Sequence, residues 1–206
     1  GPVNNTYTLV FKGEEGATEA ATAVRSDYTI SEDLGKLTIT QNETELKIVS
    51  ATKSWEYTGL AHTQYEYTVT YGEESYTVTI AEGETTGTAT LSTRDVVTIT
   101  PAATAEITHV AETTVDNEFT YAVDNAGQYK TITKEVGKLS VTPATLTVTT
   151  GTDSKQYDGQ PLTAAGSVTG YKNGETADFT VTGTITLVGG PVNNTYTLVF
   201  KGEEGA

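Results

Sequence analysis

Residues 65–80 read YEYTVTYGEESYTVTI, and this stretch shows the pattern that decides the fold class. Aromatic and β-branched residues alternate with polar ones, which is the period-two signature of half-buried β-strands. The same alternation returns in LTIT (37–40), LTVT (146–149) and FTVT (179–182). Because Gly, Asn and Asp separate these short runs, the sequence predicts an all-β fold of β-sandwich domains. Only EEGATEAATAV (14–24) has a pattern that allows one short helix.

A duplication sets the organisation of the chain. Residues 1–17 read GPVNNTYTLVFKGEEGA, and residues 190–206 read the same 17 letters without one change. A match of this length does not arise by chance, so the chain has a sequence period of 189 residues. The chain therefore looks like a window cut from a longer tandem array.

A weaker repeat lies within the period. Three pairs of segments share its pattern: SWEYTG (54–59) with SKQYDG (154–159), VDNEF (115–119) with VNNTY (192–196), and GKLTIT (35–40) with GKLSVT (137–142). Each unit is thus expected to open with a strand and an S-x-x-Y-x-G turn. The G-K-L strand is expected to close it.

These repeats predict one complete domain and one split domain. Residues 41–142 form the complete domain, and 1–40 form the C-terminal half of the split one. Residues 143–206 supply the N-terminal part of the split domain plus the restart at 190–206. We expect the two portions at opposite ends of the complete domain, so that one chain cannot close its own split domain. Neighbouring copies could then complete each other by adding strands to open sheet edges.

Composition narrows the possible partners. Twelve Lys and Arg against 27 Asp and Glu give a net charge of −15, which argues for a solvated surface and against nucleic acid as a partner. The chain has no Cys, which excludes disulfides, thiol nucleophiles and thiolate metal sites. No apolar run approaches the length of a membrane span, so we expect no membrane insertion in this segment. We also expect no cofactor.

Four segments of the split domain resemble a known family of repeats: SKQYDGQPLT (154–163), FTVTGTITLVG (179–189), VNNTYTLVF (192–200) and DYTISEDLGKLTIT (27–40). They are similar to the YDG-type and mucin-binding-glycoprotein-type repeats, which occur in tandem in large surface proteins of Gram-positive bacteria. The complete domain follows the pattern loosely, and its 60–114 stretch departs from it. The resemblance implies an Ig-like or related β-sandwich stalk module of a cell-wall-attached adhesin, without a catalytic site. Mucin or glycan binding is implied for some relatives and is assigned to no residue here.

Two tyrosines occupy the same place in the two units. Tyr57 and Tyr157 each stand two residues before a glycine, Gly59 or Gly159. We interpret each tyrosine as a cap on its sandwich, with the hydroxyl hydrogen-bonded and the glycine in a turn conformation closed to other residues.

The remaining aromatic candidates lie in the complete domain. Tyr65, Tyr67 and Tyr71 could form a strip for stacking glycans, but their alternation in phase with Val69 predicts a core face. Trp55, the only Trp, is the first candidate for an exposed aromatic, although packing is the default.

The polar candidates give weak signals. His62 and His109, the only histidines, lack zinc-ligand spacing and are expected to be inert. No calcium-loop motif accompanies the acidic residues that could bind Ca²⁺ between domains, which are Asp116, Asp124, Asp153, Asp158 and the pairs Glu14/Glu15, Glu73/Glu74 and Glu203/Glu204. An isopeptide crosslink would use Lys36 or Lys138 with Asn117 or Asn194, but the acidic catalyst motif typical of such domains is missing.

The leading hypothesis for function is a structural stalk or fibre segment of an extracellular bacterial surface protein. Copy number would then set how far a distal adhesive domain stands from the cell wall. One alternative is a multivalent module that binds host glycan or mucin and gains by avidity. A second alternative is a filament in which chains assemble head to tail by intermolecular strand complementation. Enzymatic activity is the least expected function.

Overall fold

The computed structural model describes residues 1–11 and 23–200 and confirms an all-β fold. The strands are β1 Val3–Asn4, β2 Lys36–Leu37, β3 Leu46–Ser50, β4 Lys53–Glu56, β5 Glu66–Tyr71, β6 Glu74–Thr79, β7 Gly87–Thr90, β8 Val96–Pro101, β9 Val115–Asp116, β10 Phe119–Val123, β11 Ile132–Glu135, β12 Lys138–Thr142, β13 Thr147–Thr150, β14 Gly166–Thr169, β15 Asp178–Val181 and β16 Tyr196–Val199. The helical elements in the described part are single 3₁₀ turns at Arg25–Asp27, Val110–Glu112 and Ala126–Gln128. The candidate helix at 14–24 lies outside the described residues except for 23 and 24, which are not helical.

The main core of the 41–142 unit is built from residues of two sheets. One sheet has the strand order β11-β3-β5-β6 and the other β10-β8-β7. Alternate residues of β3, β5 and β8 are buried, as the period-two pattern predicts. The buried cluster contains Leu46, Ile48, Tyr67, Val69, Tyr71, Val78, Ile80, Ala89, Leu91, Val97, Ile99, Phe119 and Tyr129. Tyr65 packs against this cluster while half-buried, so the prediction of a core face over a glycan strip is confirmed.

A smaller core lies beside a third sheet, of order β4-β12-β9. Leu139 and Val141 of β12 are buried there with Ile107. Trp55, Tyr57 and Val115 are half-buried and pack against them. β12 holds this core together because it lies between β4, to which it is parallel, and β9, to which it is antiparallel.

The first and last strands of the 41–142 unit run in the same direction. β11 pairs in parallel with β3, and β12 pairs in parallel with β4, so that Leu46 lies opposite Ile132 and Glu56 opposite Thr142. At about 3.3 Å per residue, the run 46–56 spans roughly 30 Å. The chain therefore enters this unit at one end and leaves it at the other.

The segments outside this unit form two-stranded pairs. β1 pairs with β2, β13 with β14 and β15 with β16, all antiparallel. Among the described residues, all those that are fully buried lie within 46–141. The outer segments thus have β-structure without a closed core.

Candidate functional site: an open groove in the C-terminal segment

A groove of about 810 Å³ lies in the C-terminal segment, between residues 150–164 and 183–194. Apolar side chains of Leu162, Ile185 and Val192 line it beside many polar groups. Tyr157 stands at the groove with 64% of its surface exposed. A groove of mixed polarity beside residues 151–158, which belong to no strand in the described chain, is suited to an extended peptide segment.

Asn194 fixes the two sides of the groove to each other. Its side-chain amide donates hydrogen bonds to the carbonyl oxygens of Gly151, at 2.9 Å, and Ala164, at 3.0 Å. Gly183 lies so close that a Cβ at this position would stand 2.4 Å from the Oδ1 of Asn194. The backbones of Leu162 and Ile185 exchange hydrogen bonds of 2.8 Å and 3.2 Å.

The same arrangement exists in the 41–142 unit. Asn117 donates to the carbonyl oxygens of Ala51, at 2.9 Å, and Gln64, at 3.0 Å. His62 and Ile107 form the antiparallel bridge that corresponds to Leu162 and Ile185. Both asparagines were candidates for an isopeptide bond, but in the structure both side-chain amides donate to backbone carbonyl oxygens. The signal that links them is the V-[DN]-N-x-[FY] pattern shared by 115–119 and 192–196.

Tyr57 and Tyr157 differ in their surroundings although their motifs match. Both glycines, Gly59 and Gly159, have φ +76°, which confirms the predicted turn conformation. Tyr57 is half-buried against the smaller core and donates its hydroxyl to Glu175. That hydrogen bond raises the pKa of Tyr57. The interpretation as a cap thus fits Tyr57 and not Tyr157, whose side chain is exposed.

The S-x-x-Y-x-G turn of the 41–142 unit is a contact point for the segment that follows. Lys172 pairs with Glu56 at 2.9 Å, and Asn173 donates from Nδ2 to the carbonyl oxygen of Gly59 at 3.0 Å. Gly59 has no room for a side chain, since its Cβ would stand 2.5 Å from the Cβ of Asn173. The sequence does not predict these contacts. The N-G dipeptide at 173–174 indicates a turn, but nothing in it shows what the turn touches.

Trp55 and the histidines have structural surroundings. The Trp55 ring stacks on His62, with centroids 5.0 Å apart and planes 12° apart. Thr58 Oγ1 lies 2.8 Å from His62 Nε2. His109 lies against Tyr57, with ring centroids 6.0 Å apart. The structure therefore places both histidines around the smaller core.

The acidic candidates are dispersed. Asp116 pairs with Lys138, and Asp158 pairs with Lys155 at 2.9 Å. Asp124 accepts from the Val96 backbone N–H, and Asp153 accepts from that of Ser154. The pairs Glu14/Glu15 and Glu203/Glu204 lie outside the described residues. Within the described part of the chain, no group of three or more His, Cys, Asp or Glu could hold a metal ion.

No family model, no curated protein and no solved structure matches the chain. In residues 1–11 and 23–200, no helix has the length and apolar character needed to cross a membrane.

Proposed function

We propose that the chain is a structural segment of an extracellular stalk or fibre on a bacterial surface. In this proposal, Ig-like or related β-sandwich units follow one another end to end and hold a distal adhesive domain away from the cell wall. The observation that carries the proposal is the parallel pairing of the first and last strands of the 41–142 unit. Because such a unit receives the chain at one end and releases it at the other, each added unit extends the array.

Contacts at both ends of the unit support a semi-rigid rod. Asn42 is held at the first end, since its N–H donates to Gln128 and its C=O accepts from Lys130. At the other end, the contacts of Glu56, Tyr57 and Gly59 with 172–175 restrict how the next segment can move. Restriction at both junctions favours an extended array over a flexible chain of beads.

The charge of the chain supports the same role. A net charge of −15 per chain gives neighbouring arrays mutual repulsion, which keeps them apart and solvated. The duplication at 1–17 and 190–206 shows that the sequence repeats, and units with their own cores can be added without refolding their neighbours.

The test is the length of chains that contain one, two and three periods. We expect the maximum dimension from small-angle X-ray scattering to rise by roughly 60 Å with each period, because each period adds two units and the run 46–56 of one unit spans roughly 30 Å. A maximum dimension that levels off after the first period would contradict the proposal. The same chains should not bind mucin in a pull-down, in either the short or the long form. Binding that strengthens with copy number would favour the multivalent module instead.

A further inference from the structure

We infer that the groove at 150–164 and 183–194 is an acceptor site for the strand 35–40 of a second copy of this chain. The inference goes beyond the stalk proposal, since it identifies which segments join and does not depend on what the array does. It follows from a comparison of the two units, in which the same site is filled in one and open in the other.

In the 41–142 unit the site is filled by β12. The N–H of Asn117 donates to the carbonyl oxygen of Gly137 at 2.9 Å, which fixes the start of this strand. Leu139 and Val141 then enter the smaller core, where they are 0% and 5% exposed. Gly137 lies against the chain in front of it, since a Cβ there would stand 2.3 Å from the carbonyl oxygen of Ala51.

In the described residues of the C-terminal segment, the walls of this site are present and no strand corresponding to β12 fills it. Asn194 holds Gly151 and Ala164 as Asn117 holds Ala51 and Gln64. Ile185 corresponds to Ile107, and Val192 corresponds to Val115. The groove lies where β12 lies in the complete unit. An extended strand with two inward side chains would cover the apolar side chains in its walls.

Residues 35–40 have the matching strand. Asn5 donates from its N–H to Gly35 O at 2.9 Å, which repeats the bond from Asn117 to Gly137. The pairing of Val3 with Leu37 repeats that of Val115 with Leu139. The two side chains that a groove would bury are 57% exposed at Leu37 and 94% exposed at Ile39.

Because of the duplication, replacing one strand partner of 35–37 by another costs little free energy. Residues 3–5, which pair with 35–37 in the free chain, are identical to 192–194 at the groove. When the strand 35–40 docks, one V-N-N segment replaces another in the same register. The net gain is then the burial of Leu37 and Ile39, together with new backbone hydrogen bonds to the edge at 153–156.

The strand 35–40 and the groove lie at opposite ends of the 41–142 unit. Residue 40 joins the 41–142 unit at the end where Leu46 begins β3, and residue 143 leaves it at the end where β12 stops. Each chain therefore offers one strand and one groove at opposite ends. Such a head-to-tail contact continues from molecule to molecule.

The first experiment measures association of the 206-residue chain by sedimentation velocity over a rising concentration series. We expect dimers and larger species for the unmodified chain. Ile39→Glu should abolish them, because its carboxylate would be buried beside the apolar side chains of the groove and away from water. Leu60→Glu is the matched control, since Leu60 is 58% exposed and lies outside the strand and the groove.

A second pair of variants tests the backbone fit. Gly35 has nothing within 4 Å of its Cβ position, so Gly35→Ala should leave the free chain folded. In the docked state this Cβ would meet the carbonyls that correspond to those of Ser50 and Ala51, and association should be lost. Gly127→Ala is the control, because Gly127 also has nothing within 4 Å and should associate normally. An unmodified chain that remains monomeric, or variants that associate as it does, would overturn the inference.

Crosslinking tests the register. Ser54 pairs with Ser140 in the complete unit, and the corresponding pair across two molecules is Ser154 with Thr38. Because the chain has no Cys, a mixture of Thr38→Cys and Ser154→Cys chains should give a covalent dimer with a short bis-maleimide. The control is a single chain with Ser54→Cys and Ser140→Cys, which should crosslink internally. If the control chain crosslinks internally but the mixture gives no covalent dimer, the proposed docking is contradicted.

Discussion

Asn117 and Asn194 clamp corresponding pairs of backbone carbonyls at the same distances, 2.9 Å and 3.0 Å. In both residues the amide oxygen is buried without a hydrogen-bond partner among the described residues. The clamp joins segments that are distant in sequence, so it fixes the frame of each unit. The two units therefore share this frame, although only the 41–142 unit has a closed core.

Removal of the clamp should destabilise the 41–142 unit. Asn117→Ala deletes two hydrogen bonds and leaves two carbonyl groups without their donors, so we expect a loss of about 2 kcal/mol in the free energy of unfolding. Urea unfolding measures this loss. Thr120→Ala is the control, because Thr120 is exposed on the neighbouring strand β10 and its loss should cost less. Equal midpoints for the two variants would show that the clamp contributes nothing special.

The two turn glycines provide a test of the contact between units. Gly59 and Gly159 share φ +76°, so an Ala at either position meets the same backbone strain, about 1 kcal/mol. Only at Gly59 would the new Cβ also meet Asn173. We expect Gly59→Ala, and not Gly159→Ala, to change the distance between labels at the exposed positions Glu84 and Val188. Resonance energy transfer measures it, and the same distance in both variants would exclude a role for this contact in placing 143–200.

We expect the substitution Tyr67→Phe to increase the stability of the folded chain. The hydroxyl is buried and has no hydrogen-bond partner among the described residues. Tyr67→Phe removes this unpaired group, so we expect a gain of about 1 kcal/mol in thermal or urea unfolding. A less stable Phe variant would show that the hydroxyl has a partner in solution.

Tyr67 should also cause the free energy of unfolding to fall at alkaline pH. Burial raises the pKa of Tyr67 to about 12, from an ordinary value near 10. Because the folded-state pKa is raised, its contribution to stability is complete below pH 10 and is lost as the pH rises from 10 through 12. Tyr67→Phe should flatten this part of the stability profile, as measured by urea midpoints at each pH. A profile that keeps its slope would assign the loss to other groups.

Asp95 should contribute to an acid limit. Hydrogen bonds from Tyr129 and then Asn125 hold the pKa of Asp95 below its ordinary value. A depressed folded-state pKa gives stability that is present above the unfolded value, near 3.9, and is lost as the pH falls through the folded value. We expect Asp95→Asn to be less stable at neutral pH and to lose less on acidification, measured by urea midpoints. Asp33→Asn, at an exposed site, should behave as the unmodified chain does.

The sequence predicted the strands well because their signal is local. The run 65–80 became β5 and β6, with Tyr67, Val69 and Tyr71 turned inward as their alternation required. The turn conformations of Gly59 and Gly159 could also be predicted, since a left-handed turn favours Gly whatever surrounds it. Both predictions depend only on residues within a few positions of each other.

The contacts between residues that are distant in sequence could not be predicted. Tyr57 and Tyr157 have the same motif, yet one donates to Glu175 and the other is exposed. The acidic candidates gave no joint site, because composition does not show which carboxylates already pair with a lysine, as Asp116 does with Lys138. Such contacts depend on which segments the topology brings together.

The sequence by itself determined the strand pattern, the 189-residue period and the weaker repeat within it, because each is a matter of order along the chain. Only the tertiary structure decided that β12 closes a core in one unit while the corresponding strand at 35–40 lies exposed. The reason is physical. Leu139 and Leu37 stand in the same sequence pattern, but burial requires partner strands on both sides, and the topology brings both to β12 alone.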